Sequence, residues 1–346
     1  MADRTRSVLA LPKAHLHLHF TGSMRVRTVR EMAERHGVRL PPAFTTQWPP
    51  DLSAHDERGW FRFQRLYDAA RACVQDEEDL RRIVREAAED DAAEGSRWLE
   101  MQVDPTSYAP LVGGLTPALE IILDEARAAS EATGTQVAIV VAASRMRHPL
   151  DARTLARLAA RYAGYGPGSV VGFGLSNDER RGMTSEFEAA FRIARRAGLA
   201  SVPHAGELLG ADHVEVALDH LAPHRLGHGV RAAEDPEVLR RVVEEGIVLE
   251  VCPGSNVALG VYPTLADVPL RRLLDAGARV ALGADDPLLF GTRLADQYVS
   301  ARLDHGLPDE TLAELARASI EGSRAPADVR REVLQGIDAW LAAEPD

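Results

Sequence analysis

The stretch Arg97-Trp98-Leu99-Glu100-Met101-Gln102-Val103 is a short run rich in apolar residues that stops at Asp104-Pro105, so it reads as a β-strand. From there the chain alternates. Residues 117–133 carry helical spacing closed by Gly134, 136–143 read as a strand, 151–163 as a helix and 170–175 as a strand. A helix at 185–197, a strand at 200–204, a helix at 214–221 and a strand near 225–227 follow. A helix at 236–245, a strand at 247–252, a helix at 265–276 and a strand at 279–284 complete the series. Upstream, Pro12-Lys13-Ala14-His15-Leu16-His17-Leu18-His19-Phe20-Thr21-Gly22 supplies one further strand. Helical stretches at 25–36 and 57–93 come after it, separated by Pro41, Pro42, Pro49 and Pro50. Eight strands alternating with helices predict an α/β protein built as a single (β/α)8 TIM barrel, with extra helices after the first strand. No linker, repeat or low-complexity segment interrupts the series, so one domain over residues 1–346 is expected.

A formal net charge of -12 argues against nucleic acid or an anionic membrane as the main partner. Lys13 is the only lysine, so nearly all positive charge is arginine, which suits bidentate contacts to anions. Cys73 and Cys252 are the only cysteines and lie far apart, which is not a disulfide framework. The apolar run within residues 1–11 is too short for a signal peptide, and no later run approaches the roughly 20 residues of a membrane helix. A cytoplasmic protein is the expectation.

His17 and His19 are one residue apart, and on a strand their side chains share a face. Alone, such a pair more often packs or faces solvent than binds metal. In a barrel of this kind, reactive groups gather at the C-terminal ends of the strands. There the sequence puts His204 after the fifth strand, His228 after the sixth, and Asp285 with Asp286 after the eighth. Each has an ordinary explanation as a capped loop, a core histidine or a turn, but those explanations do not account for four matching strand ends. His17, His19, His204 and Asp285 make a sufficient ligand set for a borderline cation such as Zn²⁺, one per chain, with a position left for water. His228 is then free to act as a base or to hold the attacking hydroxide in line. Glu207 lies three residues past His204, and a carboxyl shielded from water keeps its proton, as an acid toward a ring nitrogen must. Trp60, Phe61, Phe63, Leu66 and Tyr67 have the spacing of a core stripe, and 60–67 is the candidate lid.

Pro12-Lys13, His17-Leu18-His19 with Gly22, His204-Ala205-Gly206-Glu207, Arg225-Leu226-Gly227-His228-Gly229, Cys252-Pro253-Gly254-Ser255-Asn256 and Asp285-Asp286-Pro287 together resemble the adenosine deaminase family of the amidohydrolase superfamily. The resemblance implies hydrolytic deamination of a purine nucleoside, a small-molecule substrate, to the 6-oxopurine and ammonia. It implies that His17, His19, His204 and Asp285 hold zinc, that Glu207 protonates N1, that His228 assists the attack, and that Asp286 bonds to N7. Asp285 joins Glu207 and His228 as a catalytic residue, and His19, Thr21, Asn177, Gly206 and Asp286 are the expected substrate contacts.

The departures from the family pattern concern substrate. Thr21 stands where the family usually has an aspartate for the ribose 5′-hydroxyl, and His15 stands where it usually has glutamate. His15 shares the strand face of His17 and His19, two residues deeper, where a structural role is expected. Gly174 and Asn177 replace the family's usual aspartate and glycine, the second in the loop whose backbone meets purine N3. Loss of the acidic anchor, with Arg25 and Arg27 following it, predicts a nucleoside with a modified, anionic 5′ position. One such compound is 6-amino-6-deoxyfutalosine, an intermediate of an alternative menaquinone pathway whose aromatic 5′ extension carries a carboxylate. The alternatives are an adenosine or deoxyadenosine deaminase, an amidohydrolase acting on a free base or cyclic amide, and a catalytically silent nucleoside-binding protein.

Overall fold

The computed structural model describes residues 5–52 and 57–345, so the first four residues of the N-terminal stretch 1–11 lie outside it. Eight strands run in chain order around one sheet: β1 (Lys13–His19), β2 (Ser96–Val103), β3 (Gln136–Ser144), β4 (Val170–Ser176), β5 (Ala200–Ala205), β6 (Arg225–His228), β7 (Val248–Val251) and β8 (Arg279–Leu282). All seven consecutive pairs are parallel. Both faces of such a sheet are covered, which explains why β3 is a nearly unbroken apolar run rather than an alternating one. The expected (β/α)8 barrel is the observed fold.

The barrel closes where β8 meets β1. The amide of Asp285 donates to the His17 carbonyl at 2.9 Å and the His19 amide donates to the Asp285 carbonyl at 3.0 Å. His15 reinforces the seam: its Nε2 accepts the Ala284 amide at 3.0 Å while Nδ1 meets Asp91 of helix Glu77–Ala93 at 3.0 Å. The register of β1 shifts between His15 and Leu18, which takes His15 out of line with His17 and His19. Its role is structural, as expected, but it does not share their surroundings.

Three sequence-derived boundaries change. The stretch 57–93 is two helices, Glu57–Arg71 and Glu77–Ala93, because the Asp76 side chain accepts the Asp79 amide and starts the second one. Residues 265–276 break at Pro269 into a short 3-10 turn and helix Leu270–Asp275. After β8 come helices Leu294–Leu303, Asp309–Gly322 and Ala327–Ala342, which the strand count had left unread. No helix among the described residues is long and apolar enough to cross a membrane.

Lys13 opens β1 and is fully buried. Its ammonium donates to the carbonyls of Val8 (3.0 Å), Leu11 (2.7 Å) and Glu94 (2.6 Å) and lies 5.2 Å from the Tyr298 ring centroid. Burial pulls this group down to about 7. Three carbonyl acceptors nonetheless require three N–H donors, which only the ammonium carries, so the geometry is that of the charged form. Lys13→Met should leave three carbonyls without donors and lower the unfolding free energy by about 3 kcal/mol, read from denaturant titration; an unchanged midpoint would remove Lys13 from the scaffold.

Candidate active site

At the C-terminal ends of the strands four side chains from three elements converge. His19 Nε2 lies 3.2 Å from His204 Nε2 and 3.2 Å from Asp285 Oδ1, and His17 Nε2 lies 3.6 Å from the same oxygen. His17 Nε2 is buried without a hydrogen-bond partner. Donor atoms around a tetrahedral cation with bonds near 2.0–2.1 Å sit roughly 3.3 Å apart, so His17, His19 and Asp285, whose donor atoms lie within 4.8 Å of one another, could hold a divalent cation, with His204 next to His19 as a further imidazole. Gly227 makes room for them, since a Cβ there would stand 3.0 Å from both the His17 and His204 rings.

The surroundings hold each group in a usable state. His17 Nδ1 faces Glu250 Oε2 at 2.8 Å, which puts the ring proton on Nδ1 and leaves Nε2 as the lone-pair donor. Glu250 is itself held by Arg225 at 2.5 Å, and Arg225 also bonds to Glu100 at 2.5 Å. Ser255 donates to Asp285 Oδ2 at 2.5 Å. Burial works against the Asp285 carboxylate, but the neighbouring His17, His19 and His228 imidazoles outweigh it and hold Asp285 well below the usual range. Burial and the neighbouring imidazoles keep His204 neutral. Burial likewise pulls His228 down to about 3, against the opposing pull of Asp285.

His228 Nε2 faces Glu207 Oε1 at 3.5 Å and Asp285 Oδ2 at 3.8 Å. Burial pushes the Glu207 carboxyl well above the usual range, with Asp285 and Glu179 adding to it. Glu179 fixes this loop. Its buried carboxylate accepts the amides of Gly206 (2.6 Å), Glu207 (3.0 Å), Leu208 (2.8 Å) and Leu209 (3.0 Å), so the backbone that carries Glu207 is pinned at four points. Arg145 does the same for β5, donating to the His204 carbonyl at 2.5 Å and to Thr184 at 2.7 Å.

These groups face a cavity of about 530 Å³, lined by His19, Thr21, Asn177, Glu207, His228 and Asp286 among others. Asp286 Oδ1 is buried without a partner and approaches so close to Gly22 that a Cβ there would be 1.7 Å from it. Asn177, His228 and Asp285 have positive φ, at 81°, 59° and 62°, a conformation that costs non-glycine residues energy and concentrates at functional positions. Asn177 therefore takes the glycine-like backbone shape that its loop requires. Thr21 is buried with its hydroxyl bonded to that of Tyr108.

Other expected residues lie elsewhere. Gly206 does not line the cavity and its amide is taken by Glu179. Arg25 is engaged by Glu89 and Asp90 at 2.8 Å, and Arg27 is a surface residue paired with Glu31 at 2.6 Å, so neither reaches the cavity. Trp60, Phe61, Phe63 and Tyr67 line it from helix Glu57–Arg71, with Phe63 stacked 5.5 Å from Phe290. Glu250, Glu179 and Arg145 were not singled out from sequence; Glu250 and Arg145 lie inside strand runs or turns, and their value depends on partners 233 and 59 residues away.

A family profile described as adenosine deaminase matches residues 12–340. A Streptomyces virginiae protein named as an adenosine/adenine deaminase is 62% identical, with 98% of this chain and 99% of that protein aligned. The crystal structure of an adenine deaminase from Arthrobacter aurescens superposes with a TM-score of 0.87 at 31% identity, covering 96% of this chain and 99% of that one. An amidohydrolase from Burkholderia ambifaria, solved with bound zinc, superposes with a TM-score of 0.82 at 26% identity, covering 97% and 94%.

Glu250→Gln should weaken divalent-cation binding by roughly 10- to 100-fold in a chelator competition, because the His17 proton is no longer fixed by an anion. Unchanged affinity would detach Glu250 from the cluster.

Proposed function

The chain belongs to the adenosine deaminase family, and on that footing we propose that it catalyses hydrolytic deamination of a 6-aminopurine nucleoside with a modified 5′ position. The observation that carries this reading is the Glu207 carboxyl, buried 3.5 Å from His228 beside the imidazole–carboxylate cluster, where burial favours its protonated form. His17, His19, His204 and Asp285 would hold the divalent cation, zinc on the chemistry of this donor set, which when bound supplies Lewis-acid polarisation and lets water ionise near pH 7 rather than near 16.

The remaining steps belong to side chains. Glu207 donates its proton to N1, which drains electron density from C6 and readies it for addition. His228, neutral, accepts a proton from the attacking water and holds its oxygen toward C6. The unpartnered Asp286 carboxyl meets N7 and fixes the purine in the plane between the two. Adding water across N1–C6 gives a tetrahedral centre. His228 then returns its proton to the exocyclic nitrogen while the C6 hydroxyl proton passes to Glu207, and the C6–N bond breaks to release ammonia and leave the 6-oxopurine, with Glu207 and His228 restored.

One feature favours the modified nucleoside over adenosine, and a second favours it over the free base. The position that would anchor a 5′-hydroxyl is Thr21, a neutral hydroxyl already bonded to Tyr108. The cavity, at about 530 Å³, is also of a size for a drug-like ligand rather than a bare purine. 6-Amino-6-deoxyfutalosine is one nucleoside of this class. The likeness to an adenine deaminase favours the free base as the rival substrate.

Glu207→Gln should lower kcat by about 10²- to 10⁴-fold while metal content stays at the wild-type level; retained turnover would overturn the acid role. Among adenine, adenosine, 5′-deoxyadenosine, methylthioadenosine and 6-amino-6-deoxyfutalosine, the last should show the highest kcat/KM. If adenine or adenosine leads, the assignment of a 5′-modified nucleoside is wrong.

A further inference from the structure

The chemistry at the cavity floor uses only the inner half of the space. Trp60 and Phe61 line the rest on one side, Tyr67 reaches in toward Thr21 and Asp286, and the rim is cationic, with Arg71 and the exposed Arg147 and Arg181. The floor is taken up by Glu207, Asp285 and Asp286, so a substituent at the far end of the substrate lies toward the exposed arginines of the rim.

The rim arginines differ in how fully they are neutralised. Arg71 is ion-paired with Asp68 and lies 5.7 Å from the Tyr67 ring centroid. Asp178 is occupied by Arg180, at 2.8 Å to Nε and 3.2 Å to Nη2, and Arg181 reaches it only at 3.9 Å. Arg147 is exposed and makes no side-chain hydrogen bond or ion pair among the described residues. The carboxylate whose field it shares is Asp104, which is occupied by the Thr106 hydroxyl at 2.6 Å and its amide at 2.9 Å. Four arginines, counting Arg180, thus face Asp68, Asp104 and Asp178, and the surplus cation sits with Arg147 and Arg181. They rise from the loops after β3 and β4, which lie side by side at the mouth.

We infer that Arg147 and Arg181 form a subsite for an anionic group at the far end of the substrate's 5′ substituent, with Trp60, Phe61 and Tyr67 covering an apolar spacer between that group and the ribose. The inference rests on the nucleoside reading above and names the residues that select for it. A guanidinium fork binds a carboxylate or a phosphate in two parallel hydrogen bonds, so either anion satisfies the chemistry, and the spacer decides between them. An aryl carboxylate uses the aromatic wall, whereas a phosphate esterified at the 5′ oxygen does not span it.

The test compares kcat/KM of the metal-loaded enzyme for an adenosine analogue bearing a 5′-aryl carboxylate, its neutral amide, and adenosine 5′-monophosphate. Wild type should prefer the acid over the amide by about 10- to 100-fold, the scale of a charge-assisted contact. Arg147→Ala/Arg181→Ala should bring that ratio close to one through KM, and Arg147→Lys should restore part of it. A ratio near one in wild type, or one that survives in the double variant, would overturn the subsite. A monophosphate that outperforms the aryl acid, with the same arginine dependence, would keep the anion site and assign it to phosphate. If none of the three nucleosides is deaminated, the nucleoside reading has failed, and calorimetric binding of acid against amide to wild type and double variant still decides the subsite.

Discussion

One buried guanidinium organises this molecule. Arg225, 1% exposed, bridges Glu100 of β2 and Glu250 of β7 and donates to the Gly322 carbonyl at the end of a C-terminal helix. Removing three ionic groups from water is expensive, and the mutual attraction recovers that cost only with close geometry on every side. Here both carboxylates are also held by neutral donors, Glu100 by the Trp98 indole and the Arg324 amide. Glu250 uses its second oxygen for His17. The interior of the barrel and the imidazole cluster are therefore one continuous hydrogen-bonded unit, and the tautomer of His17 is set by the same carboxylate that neutralises the barrel's central cation.

The rest of the site follows from placing rigid ends in register. The seam between β1 and Asp285 sets the carboxylate against the His17 and His19 strand through backbone bonds, before any side-chain interaction is counted. Glu179 then anchors the loop after β5 from a neighbouring strand end, so the acid and the cluster are located by separate devices. Positive φ at Asn177, His228 and Asp285 marks where backbone strain is spent on aiming side chains into the cavity.

The barrel and the cluster were legible because both rest on local pattern. Runs such as Val137 to Ala143 announce buried parallel strands, and the histidines and Asp285 fall at strand ends that the same pattern defines. Glu250, Glu179 and Arg145 escaped notice because a charged residue in an apolar strand or turn has no meaning until its distant partner is known. Arg25 and Arg27 were misplaced for the opposite reason. Their nearness in sequence to Thr21 implied nearness in space, yet the chain turns into a helix there and directs them to Asp90, Glu89 and Glu31. The cavity is lined instead by loops after β3 and β4 and by the aromatic helix, about 40 to 160 residues from Thr21 in sequence.

The burial of Lys13 has a chemical corollary. As the sole lysine, it is enclosed by three carbonyls and the Tyr298 ring, so the folded surface presents no lysine amine at all. Acylating, glycating or amine-crosslinking reagents find no lysine to attack while the barrel is intact. Every basic side chain at the surface other than histidine is a guanidinium, which keeps its charge across the whole biological pH range. Lysine labelling thus becomes a reporter of unfolding with a single site, located at the first residue of the first strand.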